Sequence, residues 1–307
     1  MIIWIFAVLL LIAASCFLAL YFVTSAIVRP KRQTLEQTFA YFGELGQEMR
    51  KAYNALTREA FTVTADDGTR ISCELVSPPH PTERPKIVIF VHGFGFTRSA
   101  AMKYLAFFQK RGYYAVLFDH RNCGESGGKF TTFGAQEHRD LIRIVDAVCD
   151  RFGADAVIGT VGESMGGATV LLHAAKDARV AFTVADCAYA DCRAQLRFTL
   201  SKRARWLAPV LLPLADRMVG LRAHFRFADV SPERELAALK RPLPILFAHG
   251  TADRVVPFDH HDRLVSAYHG PKLTLIGQDS RHTRSAVDHP EQYDAAIGQL
   301  LALAHLE

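Results

Sequence analysis

Apolar and small polar residues fill the first 28 positions of the chain without one charged side chain, and Arg29, Lys31 and Arg32 follow directly. At a helical rise of about 1.5 Å per residue this stretch reaches about 42 Å, which exceeds the roughly 30 Å hydrocarbon core of a bilayer. It lacks the basic start and the short apolar region of a cleaved signal peptide. The pattern predicts an uncleaved transmembrane anchor over residues 1–28.

The charges beside this segment predict its orientation. Cations flank only its C-terminal end, and the positive-inside rule places that end in the cytoplasm. We therefore expect a single-pass protein of the cell membrane with a cytoplasmic globular part. Cys16 is interpreted as a helix residue rather than a lipidation site, because apolar residues continue beyond it.

Between the anchor and the main domain, apolar residues recur every three or four positions from Leu35 to Tyr53. This spacing predicts an amphipathic helix in a juxtamembrane linker over residues 29–60. Two segments of alternating polarity then flank Asp66-Asp67-Gly68, which predicts a β-hairpin at the start of the domain.

From residue 86 onward, short continuous apolar runs alternate with helical patterns. The runs lie at 86–91, 114–118, 156–160, 181–185, 243–248 and 273–276, and the helical patterns near 98–111, 135–152, 165–176, 259–269 and 289–305. Buried strands joined by crossover helices form a mostly parallel, doubly wound α/β sheet. Residues 190–242 contain helical patches but no clear strand, which predicts a cap inserted into a domain over residues 61–307.

Composition and charge narrow the function classes. Half of the 307 residues are hydrophobic, which excludes a disordered or fibrous protein. The 36 Lys and Arg are nearly balanced by 31 Asp and Glu, so the charge gives no reason to expect a nucleic acid partner. The chain carries no sequence motif for zinc, phosphate or dinucleotide binding, and we expect no metal and no cofactor.

Three residues that follow predicted strands can form a catalytic triad. Ser164 lies in a G-x-S-x-G motif between a strand and a helix, where a tight turn exposes the hydroxyl. Asp253 and His282 follow two later strands, and ligands bind at the carboxyl ends of parallel strands. Because a Ser hydroxyl is a poor nucleophile, His282 is expected to take its proton and Asp253 to orient the imidazole. Asp186, after another strand, is the alternative acid.

An oxyanion formed at Ser164 needs hydrogen-bond donors that are already in place. The backbone N–H of Met165 begins the helix after Ser164, and the backbone N–H of Phe94 follows the first parallel strand. Both are predicted oxyanion-hole donors.

A second G-x-S-x-G motif surrounds Ser126. It lies in a long glycine-rich loop, and the next helical pattern begins only near residue 136. Ser126 therefore lacks the strand-turn-helix context of a nucleophile. We interpret its segment as a structural loop beside the site.

Together these motifs resemble the α/β-hydrolase superfamily, and more narrowly its bacterial membrane-anchored serine hydrolases of the serine aminopeptidase-like and lysophospholipase-like group. The motifs are His92-Gly-Phe-Gly, Asp119-x-Arg-x-x-Gly-x-Ser126, Gly162-Glu-Ser-Met-Gly-Gly, Asp186-Cys, His249-Gly-x-x-Asp253 and His282-x-x-Ser285. The resemblance extends from about Phe61 to the C-terminus and implies an α/β-hydrolase fold with a helical cap. It leaves the substrate open, because this fold carries many chemistries.

We therefore expect a membrane-anchored serine hydrolase that cleaves acyl esters through an acyl-enzyme intermediate. A lipid acyl hydrolase, a thioesterase and an aminopeptidase-like hydrolase are alternatives, as is an inactive hydrolase-fold binding module, although a complete triad favours an enzyme. The expected partners are a small-molecule or lipid acyl substrate and the membrane.

The cap segment 191–226 is strongly basic, with eight Lys and Arg against two Asp. One interpretation is a solvated helical face that keeps the cap soluble. The other is that these cations, beside Trp206, Leu207, Leu211 and Leu212, hold the cap against anionic lipid headgroups.

Overall fold

The computed structural model describes residues 1–204 and 206–306 of the chain, and it begins with helix α1 (Ile2–Val28). Within these residues α1 is the one helix long and apolar enough to cross a membrane, a property that signal sequences share. Residues 2–19 are exposed throughout their length. From Leu20 onward, one side of α1 packs against the rest of the molecule.

The linker forms two helices instead of the single predicted one. They are α2 (Leu35–Tyr41) and α3 (Gly43–Ala55). The helix is interrupted before Gly43, whose φ of 60° lies in the left-handed region that glycine tolerates best. The sequence did not reveal this break, because apolar residues recur every three or four positions on both sides of it. Both helices pack on the domain, where Phe39 and Tyr53 are buried.

Eight strands form one sheet in the order β1-β2-β4-β3-β5-β6-β7-β8. The strands are β1 (Arg58–Thr64), β2 (Arg70–Val76), β3 (Lys86–Val91), β4 (Tyr113–Phe118), β5 (Val157–Glu163), β6 (Val180–Asp186), β7 (Ile245–Gly250) and β8 (Lys272–Gly277). Strands β1 and β2 form the predicted antiparallel hairpin, and β3 to β8 are parallel. The prediction of a mostly parallel α/β sheet is confirmed.

Helices cover both faces of this sheet. They are α4 (Met102–Gln109), α5 (Glu137–Phe152), α6 (Met165–Ala174), α10 (Asp259–Ala267), α11 (Ser285–Asp288) and α12 (Pro290–Leu303). Helices α5, α6 and α10 contribute to the core on one face, and α2, α3, α4 and α12 to the core on the other. Alternate residues of each buried strand serve the two cores, as Ile89 and Phe90 of β3 do. Continuous apolar runs therefore mark strands covered on both faces.

Between β6 and β7 the chain forms the helices α7 (Cys192–Ala204), α8 (Ala208–Ala223) and α9 (Pro232–Ala238). A third apolar cluster joins α7 and α8 to the start of α6 and to the end of α1. Leu212 of α8, Met165 of α6 and Val28 of α1 are all buried in it. This packing places the cap segment over the carboxyl end of β5.

Candidate functional site

Ser164 lies on a strained turn between β5 and α6. Its φ of 55° and ψ of −117° are unfavourable for a residue with a side chain. The flanking glycines make the turn possible, since a Cβ on Gly162 would lie 2.2 Å from the Gly166 carbonyl oxygen, and one on Gly166 would lie 1.9 Å from the Val91 oxygen. The Ser164 side chain is left half-buried at the edge of the sheet.

The structure brings Ser164, Asp253 and His282 together. His282 Nε2 lies 2.9 Å from Ser164 Oγ, and His282 Nδ1 lies 2.6 Å from Asp253 Oδ2. The three residues follow β5, β7 and β8, so the parallel strands deliver them to one edge of the sheet. With Nδ1–H donating to the carboxylate, Nε2 is free to accept the proton of the Ser hydroxyl.

Several donors stabilise the charge of Asp253. Burial alone would raise its pKa, but hydrogen bonds from His249 and His282 and from the backbone of Val255 hold the pKa well below its usual range. Val256 N also donates to Asp253 Oδ1, at 3.0 Å. Asp253 is therefore ionised at neutral pH and stabilises positive charge on His282. The contribution of His249 was not predicted from the sequence.

The two predicted oxyanion donors lie beside Ser164. Met165 begins α6, and Phe94 lies in the turn after β3, where a Cβ on its neighbour Gly93 would be 3.5 Å from Ser164 Cβ. Among the described residues, neither N–H donates to a backbone acceptor. The Phe94 ring stacks on Phe133 at 5.2 Å, which fixes the turn. Both N–H groups are available to a negative oxygen, and that of Met165 also carries the positive end of the helix dipole.

A buried ionic cluster supports the turn from behind, and sequence reasoning missed it. Glu163 precedes Ser164 and pairs with Lys103 of α4, whose ammonium also donates to the Thr283 carbonyl at 3.3 Å. Tyr104 donates to Glu163 and to Asp186. The cluster thus connects the Ser164 turn to the loop that holds His282. A lysine in an apolar helix gives no local signal of such a partner, 60 positions away.

Asp186, the alternative acid, occupies a different place. Its carboxylate is buried behind the turn and accepts from Tyr104 at 3.0 Å, while its backbone oxygen accepts from Ser164 N at 2.8 Å. Burial raises the pKa of Asp186 to about 6. The residue that contacts His282 is Asp253.

Helix α10 carries two buried histidines, His260 and His261. His260 Nδ1 accepts from Ala190 N at 3.1 Å, and burial lowers the His260 pKa to about 4. His260 thus ties α10 to the residue that precedes the cap segment.

Ser126 is part of a closed hydrogen-bond network. Its side chain is buried, donates to the Asp119 carbonyl at 2.6 Å and accepts from Ser72 N at 2.9 Å. The hydroxyl ties the loop to β2 and has no contact with a histidine among the described residues.

One group of side chains here could be considered as metal ligands. Cys187 Sγ and ligand atoms of Asp253 and His282 lie within 4.8 Å of one another. Both His282 nitrogens are already engaged, and burial raises the pKa of the Cys187 thiol well above its ordinary value. The thiolate is the form of cysteine that binds metals, and the raised pKa keeps Cys187 a thiol. These three side chains are therefore better suited to hold the hydrogen bond from His282 to Ser164 than to bind a metal ion.

Comparisons with known proteins agree with this fold. A family model described as alpha/beta hydrolase fold matches residues 86–205. The uncharacterized protein YqkD of Bacillus subtilis is 30% identical over 273 residues, 88% of each chain, and YfhR of Escherichia coli K12 is 24% identical over 241 residues, 76% of this chain and 77% of that one. The esterase Pf2001 of Pyrococcus furiosus superposes with a TM-score of 0.63 at 21% identity, covering 89% of this chain and 98% of that chain.

The last likeness concerns the fold alone, whereas the match to YqkD extends over most of both chains. In this chain a parallel strand ends at Ser164, on a tight turn flanked by glycines. The α/β-hydrolases carry a serine on a turn of the same kind. The chain belongs to the α/β-hydrolase family and is a hydrolase of that fold.

Proposed function

We propose that the protein is a membrane-anchored serine hydrolase that cleaves acyl esters through an acyl-enzyme intermediate. The observation that carries the proposal is the hydrogen-bonded chain from Ser164 Oγ through His282 to Asp253, at 2.9 and 2.6 Å. These are the contacts that a nucleophile, its base and the residue that orients the base require.

In the first half of the reaction, His282 Nε2 takes the hydroxyl proton while Ser164 Oγ bonds to the ester carbonyl carbon. The carbonyl oxygen becomes an oxyanion held by the N–H groups of Phe94 and Met165, and each such donor contributes about 10²–10³ in rate. The tetrahedral intermediate then expels the alcohol, which takes the proton from Nε2. In the second half, Nε2 deprotonates a water that attacks the acyl-Ser164 carbonyl. The bond between Oγ and the acyl carbon then breaks, Ser164 Oγ takes the proton back from Nε2, and the acid is released.

The surroundings favour an apolar acyl group. Phe94 and Met165 both contact the apolar cluster between cap segment and sheet, which also contains Phe133, Leu212 and Val256. An acyl chain that leaves Ser164 toward the cap would contact these side chains and be removed from water. This environment supports an ester or a lipid acyl substrate over a charged aminoacyl group.

Anchoring by α1 is part of the same proposal. Residues 2–19 are apolar and uncovered, and Arg29, Lys31 and Arg32 flank only the C-terminal side of the helix. We place the domain in the cytoplasm on this charge asymmetry. External protease should leave it intact in whole cells and degrade it in inverted membrane vesicles. A mature chain that begins after α1 would mean cleavage and export instead.

The chemical test uses the full chain in detergent and a fluorophosphonate probe, which reacts with activated serine. Labelling is expected in the wild type and in Ser126→Ala, and should be absent in Ser164→Ala and strongly reduced in His282→Ala. Labelling that persists in Ser164→Ala would refute the mechanism. A panel of oxygen esters, thioesters and aminoacyl anilides with matched acyl groups then identifies the substrate class.

A further inference from the structure

Helix α8 has an apolar side that faces away from the protein. Trp206, in the turn before the helix, and Val210, Leu214 and Leu221 on it are 80, 61, 41 and 79% exposed, and we call these four residues the α8 stripe. The spacing of Val210, Leu214 and Leu221 by four and seven positions places these three on one helical face. A helix that faces water carries polar residues on that side, and an exposed apolar stripe indicates a surface that contacts something else.

The stripe differs from the surface expected from the sequence. Of the apolar residues considered there, Trp206 is exposed, Leu207 and Leu211 are half-buried, and Leu212 is buried in the cluster near Ser164. The cation Arg205 lies outside the described residues. The lipid-facing candidates are therefore the stripe itself, on the side opposite to Leu212.

The neighbour of α8 in the structure is α1. Arg222 of α8 donates to the Tyr21 carbonyl at 3.1 Å, to Thr24 Oγ1 at 2.7 Å and to Ser25 Oγ at 2.8 Å. Its guanidinium also lies 3.9 Å from the centre of the Tyr21 ring. These contacts fix α8 beside the C-terminal third of α1.

The length of α1 indicates where its contact with α8 lies relative to the bilayer. Its uncovered part, residues 2–19, spans about 27 Å at about 1.5 Å per residue, close to the roughly 30 Å hydrocarbon core. Residues 20–28, which contact α8, would then lie at the boundary between acyl chains and headgroups. Leu221 of the stripe is at this level, because the neighbouring Arg222 contacts Tyr21, Thr24 and Ser25 in this part of α1.

Charges around the stripe agree with this position. Arg29 and Lys31 follow α1, and Arg193, Arg197 and Arg217 are exposed on α7 and α8. Arg193 and Arg197 line a groove of about 510 Å³ that is bounded on the other side by exposed prolines of α8. Apolar residues bordered by cations are the composition of a helix that lies in the membrane interface, where cations are attracted to anionic lipid.

The end of α1 is also close to the oxyanion turn. Val28 O accepts from Thr131 N at 2.8 Å, and Pro30 Cβ lies 3.6 Å from where a Cβ on Gly95 would be. Phe94 is the residue before Gly95, and it contacts the apolar cluster that contains Val28. The end of α1 and the oxyanion turn therefore share one apolar cluster.

We propose that the α8 stripe lies in the headgroup–acyl boundary of the membrane that holds α1, and that the substrates are acyl esters whose chains pass from this membrane to Ser164 beneath the cap. The proposal rests on the proposed function, since it requires α1 to remain as an anchor and Ser164 to be the nucleophile. It deepens that function by naming the substrate class.

The first test locates Trp206 directly. The chain has two tryptophans, so in a full-length Trp4→Phe protein Trp206 is the sole indole fluorophore. In vesicles containing anionic lipid, its emission should be quenched by lipids brominated near the glycerol end of the acyl chain, and only weakly by aqueous iodide. Quenching by iodide without quenching by brominated lipid would overturn the proposal. Fluorophosphonate labelling of the same sample reports separately on Ser164.

The second test compares activities. Val210→Gln/Leu214→Gln/Leu221→Gln should lower hydrolysis of a long-chain ester embedded in vesicles by about tenfold, which corresponds to about 1.4 kcal/mol. Hydrolysis of a short water-soluble ester should stay within about twofold, since the triad is untouched. The matched control Ile276→Gln/Leu303→Gln changes exposed apolar residues on β8 and α12 and should affect neither activity.

The outcomes separate the two proposals. Equal loss on both esters, or no loss on the vesicle ester, would overturn the role of the stripe while leaving a serine hydrolase. Absence of any activity and of labelling in the wild type would refute the proposed function itself. In that case Trp206 quenching still decides whether α8 contacts lipid.

Discussion

The chain contains the pattern Gly-Glu-Ser-x-Gly twice, and the two copies have different structures. Around Ser164 the chain passes from strand to helix in one strained residue, and the hydroxyl meets His282. Around Ser126 the chain is an irregular loop, and the hydroxyl is buried between the Asp119 carbonyl and the Ser72 amide. The same five-residue pattern therefore places a hydroxyl against an imidazole in one place and within a backbone hydrogen-bond network in the other.

The glycines of the two copies show why. Gly162 and Gly166 are required because strand and helix backbones approach them closely. Gly124 has a φ of 46°, and a Cβ there would lie 2.2 Å from an Asp119 carboxylate oxygen. In the first copy glycine permits close packing of regular elements, and in the second it permits a turn around a buried carboxylate.

The largest difference between the copies should appear in catalysis. Ser164→Ala is expected to lower kcat by about 10⁴–10⁶, because the members of a triad act as a unit. Ester hydrolysis by the full chain in detergent provides the measurement. Ser126→Ala should retain activity within about threefold, since its hydroxyl does not touch the triad. Equal losses in both variants would contradict the assignment of different roles.

Asp253, which contacts His282 behind Ser164 and has no counterpart at Ser126 among the described residues, should be nearly as important for kcat as Ser164 itself. Asp253→Asn is expected to lower kcat by about 10⁴, since the amide no longer fixes the His282 tautomer or stabilises its cation. The control is Asp186→Asn, which leaves the contact between His282 and Asp253 intact. If Asp186→Asn caused the larger loss, the acid would be misassigned.

The glutamate before the serine should contribute differently to protein stability in the two copies of the pattern. Glu163→Gln should cost about 3–5 kcal/mol, because Lys103 would be left buried without its counterion. Glu125→Gln should cost under about 1 kcal/mol, since the Glu125 side chain is 62% exposed. Urea unfolding in detergent measures both. Similar costs would mean that the buried pair has no special role.

Asp186, whose backbone accepts a hydrogen bond from Ser164, should make the stability of the protein depend on pH. Its folded pKa of about 6 lies above the unfolded value of about 3.9, so its contribution to stability is complete below pH 4 and is lost as pH rises through 6. The loss amounts to about 3 kcal/mol. The stability of the wild type relative to Asp186→Asn should therefore fall between pH 4 and 7. A difference that does not change with pH would contradict the raised pKa.

A modest loss of stability is expected when the Ser126 hydroxyl is removed from the second copy. Ser126→Ala leaves the Ser72 N–H without its acceptor and should lower stability by about 1–3 kcal/mol. The melting temperature should fall while fluorophosphonate labelling at Ser164 is unchanged. Replacement by Thr, which keeps the hydroxyl, is the control for loss of the hydrogen bond, although its extra methyl group must fit the buried site.

Much of the fold was determined by the sequence itself. Continuous apolar runs identified the parallel strands, because a strand covered on both faces must be apolar at every position. The uncharged start of the chain identified α1, and the order of Ser164, Asp253 and His282 after successive strands placed them at one edge of the sheet. These signals are local, or follow from the rule that parallel strands end together.

Tertiary structure decided what depends on contacts between distant parts of the chain. It gave one Gly-Glu-Ser-x-Gly copy a histidine and the other a backbone amide, and it brought Asp253 rather than Asp186 to His282. It also broke the linker helix at Gly43 and set α8 against α1 with its apolar side outward. The sequence by itself determined which segments form strands, helices and the long apolar helix α1, since hydrophobic period and turn chemistry act over a few residues. Which serine meets a base, and which helix face remains uncovered, was decided by packing, because those energies arise only when residues far apart in the chain come into contact.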